Sequence, residues 1–516
     1  MSTRLAPEDT AAEAVKAGST SKRFRWLGAL LLAVYLVSAV QAASHRHLWY
    51  DELYTLAIAR QNPAGMWRAE TAGFEFNPPA VYLLSSAALR LPLPEEISLR
   101  IPPIIGFALF AASLMIFAGR RLGLPYGLIA GSIVLTTGIN TEFAVEARPY
   151  GILVGFLGLA FVGWQEAADE NPRWRLLGLA GVAVGLAGAL ASHTFAILLY
   201  CPFGVAELWR WRQRRRVDGA MALALLIAAA PVILYVPLRN ASRELTLAGP
   251  LYALILSRIA QSYGLLLMTV VELLPVLLLL WLVAFQTRRA ASASWARLRL
   301  QVPQREWALA ITLMMVPLLG YLFARLIQAP FFPRYALAFT GGFAILLAYA
   351  VYGWGRGRTE SAWLFVGTAI AAMIFPLFFS PPRPPRAGQV KLPLLEQATG
   401  SDAIAVASGI TFLEMNRYLA PALASRLVFI ADPPLALKRA GSDGVDRPLA
   451  ASLPWTKPFG NVTPYLAFNA GHKVFWWYGD GRDPLAWALS QWTEDGANIQ
   501  TVATQGEYRL NRITLR

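Results

Sequence analysis

Apolar runs close to the roughly 20 residues that a bilayer-crossing helix needs recur from Trp26 to Phe379, with short polar stretches between them. In hydrocarbon every backbone N–H and C=O must be satisfied within the protein, so segments of this kind fold as helices. A polytopic α-helical membrane protein is the fold class this predicts. Composition agrees, since only 15% of residues are charged against about 25% in soluble domains. The net charge of +15 comes mostly from Lys and Arg clustered between apolar runs. That distribution orients membrane helices and gives no reason to expect nucleic acid as a partner. The single cysteine, Cys201, excludes an internal disulfide, and no Cys/His cluster of zinc type is present.

About twenty polar residues precede "SKRFR", and an apolar run follows from Trp26 to about Ala43. That run is long enough to span, so it reads as a retained first helix and not a cleaved signal. The basic "SKRFR" places the N-terminus inside and Asp51 and Glu52 outside. The next apolar stretch, Ala80–Leu91, is too short to cross and suits an interfacial helix. Skipping it leaves "GRRLG" (119–123) on the basic inner side. Further spans are expected near Ile101–Ala118, Tyr126–Ile139, Gly151–Trp164, Leu176–Ala191, Phe195–Trp209, Ala220–Val236, Gly264–Phe285, Trp307–Ile327, Ala336–Gly353 and Ala362–Phe379. With the first helix this makes about eleven transmembrane helices, N-in and C-out.

The expected division is a cytoplasmic tail 1–25, a transmembrane domain 26–379 with a first outer loop 44–100, a Pro-rich linker 380–389 and an outer domain 390–516. In the last part "DAIAVAS", "RLVFIA", "HKVFWWYGD" and "EYRLNRITL" read as strands, and "GITFLEMNRYLAPAL" as a helix between the first two. This is a small α/β domain.

The topology collects unusual polar residues on the outer face: Asp51, Glu52, Glu75, Asn77, Glu142, Glu146, Arg148, His193, Arg239, Arg243, Arg258, Arg334 and Tyr335. Each has a plainer reading. Asp51 suits a helix N-cap, Asn77 a turn before Pro78–Pro79, Arg148 snorkelling to headgroups, and His193 a hydrogen-bonded core position. The chemical reading is group transfer from a lipid phosphate to a hydroxyl. A carboxylate beside aromatics serves as general base. Arg and His bind a phosphate leaving group, and Trp49, Tyr50 and Tyr54 stack on a sugar.

The ordered motifs "WYDELYT", "NPPAVYLL", "LRIPPIIG", "GRRLG", "EARPYGIL", "SHTFAILL" and "FFPRY", spread over about residues 25–355, resemble those of GT-C membrane glycosyltransferases. The resemblance is to the group of protein O-mannosyltransferases and aminoarabinose lipid A transferases. It implies a GT-C-like fold with juxtamembrane helices in the first outer loop. It also implies an inverting transfer from a polyprenyl-phosphate sugar to an envelope lipid, glycan or protein acceptor. The family's acidic motif falls on Asp51 and Glu52, with Asp51 as the base. Arg148, Arg334 and His193 are the implied donor-phosphate contacts. Trp49, Tyr50, Tyr54, Asn77, Glu146, Tyr150 and Tyr335 are the implied substrate contacts. Relatives often carry His or Glu where Asn77 stands, and some hold a divalent metal there. Asn is a poorer ligand, so a metal ion at Asp51 and Asn77 stays an open question. No nucleotide cofactor is expected, as no P-loop or G-x-G-x-x-G fingerprint occurs. The other function classes are a transporter or flippase, for which Glu272 inside the eighth span is the one supporting residue, and a non-catalytic scaffold for the C-terminal domain.

Overall fold

The computed structural model describes residues 7–243, 245, 254–268, 271, 291–355, 359–379, 392–452, 460–483 and 485–516. Most of the eighth expected span, Glu272 and the Pro-rich linker lie outside the described residues. Within them the chain is predominantly helical with one small sheet. It divides into two compact units. The first comprises 1–43, 100–231 and 254–381, and the second 44–99, 232–253 and 382–516.

In the first unit the helices follow the apolar runs. Among the described residues four are long and apolar enough to cross a membrane: Arg23–Ser44, Glu95–Leu122, Pro149–Ala168 and Gly219–Ser242. Leu124–Thr136, Arg175–Leu190, Phe339–Gly355 and Trp363–Phe375 are shorter apolar helices. Three departures from the expected spans have local causes. The Trp307–Ile327 run is a pair of helices, Gln304–Met314 and Val316–Ile327, bent by 54°. Pro317 lies in the first turn of the second helix, where it has no N–H to continue the ladder and its ring crowds the carbonyl four residues earlier. The segment after His193 opens as a 3₁₀ helix, Thr194–Leu199, before the α-helix Tyr200–Arg214. The stretch between the expected spans Gly264–Phe285 and Trp307–Ile327 contains the helix Ala291–Gln301, as its Ala, Leu and Arg content favours.

Without a hydrophobic drive between helices in lipid, close packing depends on small residues. Ile101–Leu122 and Pro149–Ala168 meet at such a point, where a Cβ on Gly106 would lie 2.1 Å from the Gly151 carbonyl oxygen. Gly106→Ala is therefore expected to cost about 1–3 kcal/mol, read as a lower apparent Tm of the detergent-solubilised protein. Gly138, whose surroundings are open, is the control.

The basic clusters between helices are partly neutralised. Arg121 donates from Nε to Glu306 at 2.8 Å and from its terminal nitrogen to Asp169 at 2.8 Å. Arg305 also reaches Asp169, at 2.6 Å. Arg210, almost fully buried, pairs with Glu207 at 3.0 Å and with Asp218. Acids interspersed among the basic residues thus tie helix ends together.

The second unit contains a six-stranded sheet: β1 Ile404–Val406, β2 Leu427–Ile430, β3 Asn461–Thr463, β4 Val474–Asp480, β5 Asn498–Gln505 and β6 Tyr508–Thr514. Their order is β3-β2-β1-β4-β6-β5. β1 pairs in parallel with β2 and β4, and β2 with β3, whereas β4–β6 and β6–β5 are antiparallel. The short apolar runs of β1 and β2 are buried throughout, as expected of strands covered on both faces. Val428, Ile430, Phe475, Trp477, Trp492 and Ile513 belong to the core on one side. The unit also holds the first-loop helices Tyr50–Ala59, Pro63–Thr71 and Ala80–Ala88. The last has only 9 residues, too few to span.

Candidate active site

The stretch "LWYDELYT" forms the start of a helix. Trp49 is the residue before it, in extended conformation, and Tyr50–Ala59 is helical. Helix starts leave backbone N–H groups without intrahelical partners. The Trp49 N–H donates to Glu52 Oε2 at 3.2 Å. This is the returning half of a capping box, and Glu52 is fully buried in making it. Asp51, one residue earlier, is half-buried. Helical geometry therefore separates the two acids: one closes the turn and the other keeps contact with solvent.

Tyr54 lies one turn on, nearly fully buried, with its hydroxyl 2.9 Å from that of Tyr50 and its ring 4.7 Å from Phe74. Burial holds its phenol protonated, and the negative charges of Glu75, Asp51 and Asp446 act in the same sense. Asp446, from the sheet-bearing part, accepts hydrogen bonds from the Trp487 indole at 3.0 Å and the Asp432 N–H at 3.2 Å. Burial pushes its carboxyl up to about 7. Asn77 is buried beside Pro78. Glu70, on Pro63–Thr71, is fully buried, and neither carboxylate oxygen has a hydrogen-bond partner among the described residues. Burial, with Glu75 nearby, raises it to about 8. Sequence reading singled out neither Glu70 nor Asp446, because an acid within a short amphipathic helix looks solvated.

In the first unit, Arg148, Tyr150, His193, Arg334 and Tyr335 come together. The Arg334 Nε–H donates to the Tyr150 hydroxyl at 2.9 Å, and its guanidinium lies 4.3 Å from the Phe332 ring centre and 5.6 Å from that of Tyr335. The His193 ring is 5.6 Å from Tyr150 and 4.9 Å from Tyr335. Its Nδ1 accepts the Phe195 N–H at 3.1 Å, capping the 3₁₀ turn. That bond fixes the tautomer with the proton on Nε2. Burial, and then the positive charges of Arg148 and Arg334, push His193 down to about 3. It is therefore neutral at working pH, a hydrogen-bond donor and not a cation. Arg148 precedes the helix Pro149–Ala168 in extended conformation and is nearly buried, as is Glu146. Arg258, expected on the outer face but not among the phosphate contacts, lies over Phe332 at 5.1 Å. A cluster with two guanidinium groups, an imidazole N–H donor and aromatic walls is suited to an oxyanion such as a phosphate or a carboxylate.

Asp51 and Asn77 offer one carboxylate and one amide oxygen. Among the described residues no group of three or more His, Cys, Asp or Glu side chains is arranged to hold a metal ion. This donor set does not by itself make a divalent-cation site.

No family model matches the sequence, and no curated protein resembles it closely enough to count as a relative. Solved structures do resemble it. ArnT from Cupriavidus metallidurans in the apo state superposes with a TM-score of 0.51 at 12% identity, over 95% of this chain and 98% of that one. What this likeness shows is a shared fold. ArnT bound to undecaprenyl phosphate gives a TM-score of 0.49 at 12% identity, over 94% of this chain and 97% of the other. The S. cerevisiae protein O-mannosyltransferase Pmt1-Pmt2 complex, bound to its sugar donor, gives 0.32 at 15% identity over 44% of this chain and 35% of that one.

Proposed function

We propose that the chain is a membrane glycosyltransferase of GT-C fold that moves a sugar from a polyprenyl-phosphate donor to a hydroxyl group of an envelope lipid, glycan or protein. The observation that carries this reading is the cluster of Arg148, Tyr150, His193, Arg334 and Tyr335. It combines two guanidinium groups and a neutral imidazole with aromatic walls, which is the chemistry a phosphate monoester leaving group calls for. The half-buried Asp51 supports it, because the neighbouring Glu52 already closes the helix start.

In the proposed reaction Asp51 takes the proton of the acceptor hydroxyl. The acceptor oxygen attacks the anomeric carbon from the face opposite the phosphate. The carbon–oxygen bond to phosphate breaks, and the lipid phosphate leaves with the electron pair, so the configuration inverts. Arg148 and Arg334 offset the charge that builds on the phosphate, and His193 donates from Nε2. Trp49, Tyr50, Tyr54, Asn77 and Tyr335 shape the sugar and acceptor positions, and Glu146 orients the arginine turn. Eleven spans, an inner-membrane location, an inside N-terminus and an outward-facing site with residues 390–516 on the periplasmic side complete the reading.

The deciding test is mass spectrometry of envelope lipids and glycans from a deletion strain. A sugar substituent absent there and restored by the gene is the expected result, and an unchanged profile under expressing conditions overturns it. Within the phosphate cluster, Arg334→Gln should lower transfer by about 10- to 100-fold, as loss of one charge-assisted contact costs about 1.5–3 kcal/mol. The Tyr150 contact is lost with it, so Arg334→Lys is expected to recover only part of the activity.

A further inference from the structure

Three consecutive backbone donors precede and open the helix that carries Asp51, and each has its own side-chain acceptor. The Leu48 N–H donates to the Tyr418 hydroxyl at 2.7 Å. The Trp49 N–H donates to Glu52 at 3.2 Å. The Tyr50 N–H donates to Glu414 Oε1 at 3.3 Å. Two of the three acceptors therefore come from a single helix of the C-terminal part, Gly409–Tyr418. The His47 ring stacks on Tyr418 at 3.9 Å and 8°. On the other side, Arg417 reaches Glu95 at 2.7 Å, and Glu95 also binds Arg60 beyond the far end of the Asp51 helix. Tyr418 in turn donates to Glu96 at 3.3 Å. All of these residues belong to the second compact unit.

We infer that Glu414 and Tyr418 are positioning residues, through which the C-terminal α/β part holds the Asp51 helix start in its reactive geometry. The inference rests on the proposed role of Asp51 as base. The physical reason is that helix ends fray and leave backbone groups without intrahelical partners, and Asp51 is the second helical residue. A base must be placed to a fraction of an ångström for efficient proton transfer. Glu52 satisfies one of these donors from within the helix, and the other two are satisfied from residues more than 350 positions away in sequence. Glu414 is nearly buried, so its carboxylate is held at the helix N-terminus, where negative charge is favoured.

The test uses the full chain in detergent or lipid discs and the same variants in a complemented deletion strain. Amide hydrogen exchange over residues 46–54 reports the clamp directly. Envelope mass spectrometry reports transfer, and undecaprenyl phosphate serves as the probe for donor binding. In Glu414→Ala/Tyr418→Phe, exchange at Leu48 and Tyr50 should accelerate by at least about tenfold. Product should fall by at least about tenfold, with the affinity for undecaprenyl phosphate within about twofold. Glu414→Gln with Tyr418 intact keeps both acceptors, so exchange and product should both return close to those of the parent chain. Unchanged exchange at Leu48 and Tyr50 overturns the clamp. Faster exchange with undiminished product overturns the positioning role. Full product from Asp51→Asn overturns the underlying assignment of the base and leaves the exchange result standing. If protection over β4 shows that the double variant is misfolded, Tyr418→Phe alone, which keeps the ring stacked on His47, decides the Leu48 contact by the same two criteria.

Discussion

Asp51→Asn is expected to lower sugar transfer by about 10²–10⁴-fold, the span that a positioned general base contributes, while expression and folding persist. The amide is nearly isosteric with the carboxylate and keeps one acceptor oxygen, so contacts made through that oxygen survive. What it loses is the capacity to take a proton at working pH. Asp51 is half-buried on the first turn of its helix, so the exchange leaves no stranded charge in a core. The neighbouring acid supplies the contrast. Glu52 is fully buried and accepts the Trp49 N–H, and Gln at 52 can still accept that bond. Glu52→Gln should therefore retain most activity, whereas Glu52→Ala should cost about 1 kcal/mol through loss of the cap. Transfer assayed in isolated membranes at matched expression separates these cases. Equal activity for Asp51→Asn and the parent chain would remove the base from the mechanism.

Glu70 should make the protein less stable as pH rises. Its folded-state value of about 8 lies above its ordinary 4.5, with burial the main cause and Glu75 adding to it. The folded state therefore binds the proton more tightly than the unfolded state. The contribution is fully favourable below the unfolded value, declines as pH rises from about 4.5 to about 8, and is flat beyond. Each pKa unit is worth about 1.4 kcal/mol, so a shift from 4.5 to about 8 gives a decline on the order of 5 kcal/mol. Glu70→Gln cannot ionise and should flatten this dependence, with its gain over the parent chain growing up to about pH 8 and constant above. Glu70→Met should flatten it too and also remove two buried oxygens that have no hydrogen-bond partner among the described residues. Apparent Tm between pH 5 and 9 measures both. Parallel curves for the parent chain and Glu70→Gln would show that the carboxyl does not titrate there.

How much of this was readable in the sequence differs by element. β1, β2, β4 and β6 fall inside the four stretches expected to be strands, because central strands are apolar or alternate clearly. β3 and β5 were not anticipated. Both are edge strands, and β5, "NIQTVATQ", is mostly exposed and polar, so burial imposes little pattern on it. The bend at Met315 was signalled by Pro317, yet an apolar run reads as one span until the kink is seen. The basic clusters carried their sign openly, while their pairing with Asp169, Asp218 and Glu306 depended on which helix ends meet.

The sequence by itself determined that the chain is built of membrane-crossing helices with a small α/β part. Transfer free energy and backbone satisfaction act on stretches of about 20 neighbouring residues, and those are visible in one dimension. It also brought forward Asp51, Arg148, His193 and Arg334 as chemistry-bearing residues. The tertiary structure alone decided what each of them does locally. Glu52 is occupied by a cap, and His193 is kept neutral between two arginines. The Asp51 helix start is held by Glu414 and Tyr418, separated in sequence from their donors by 364 and 370 positions. Hydrogen bonds and charge–charge interactions depend on distances of a few ångströms in space, and no local pattern encodes a partner that far along the chain.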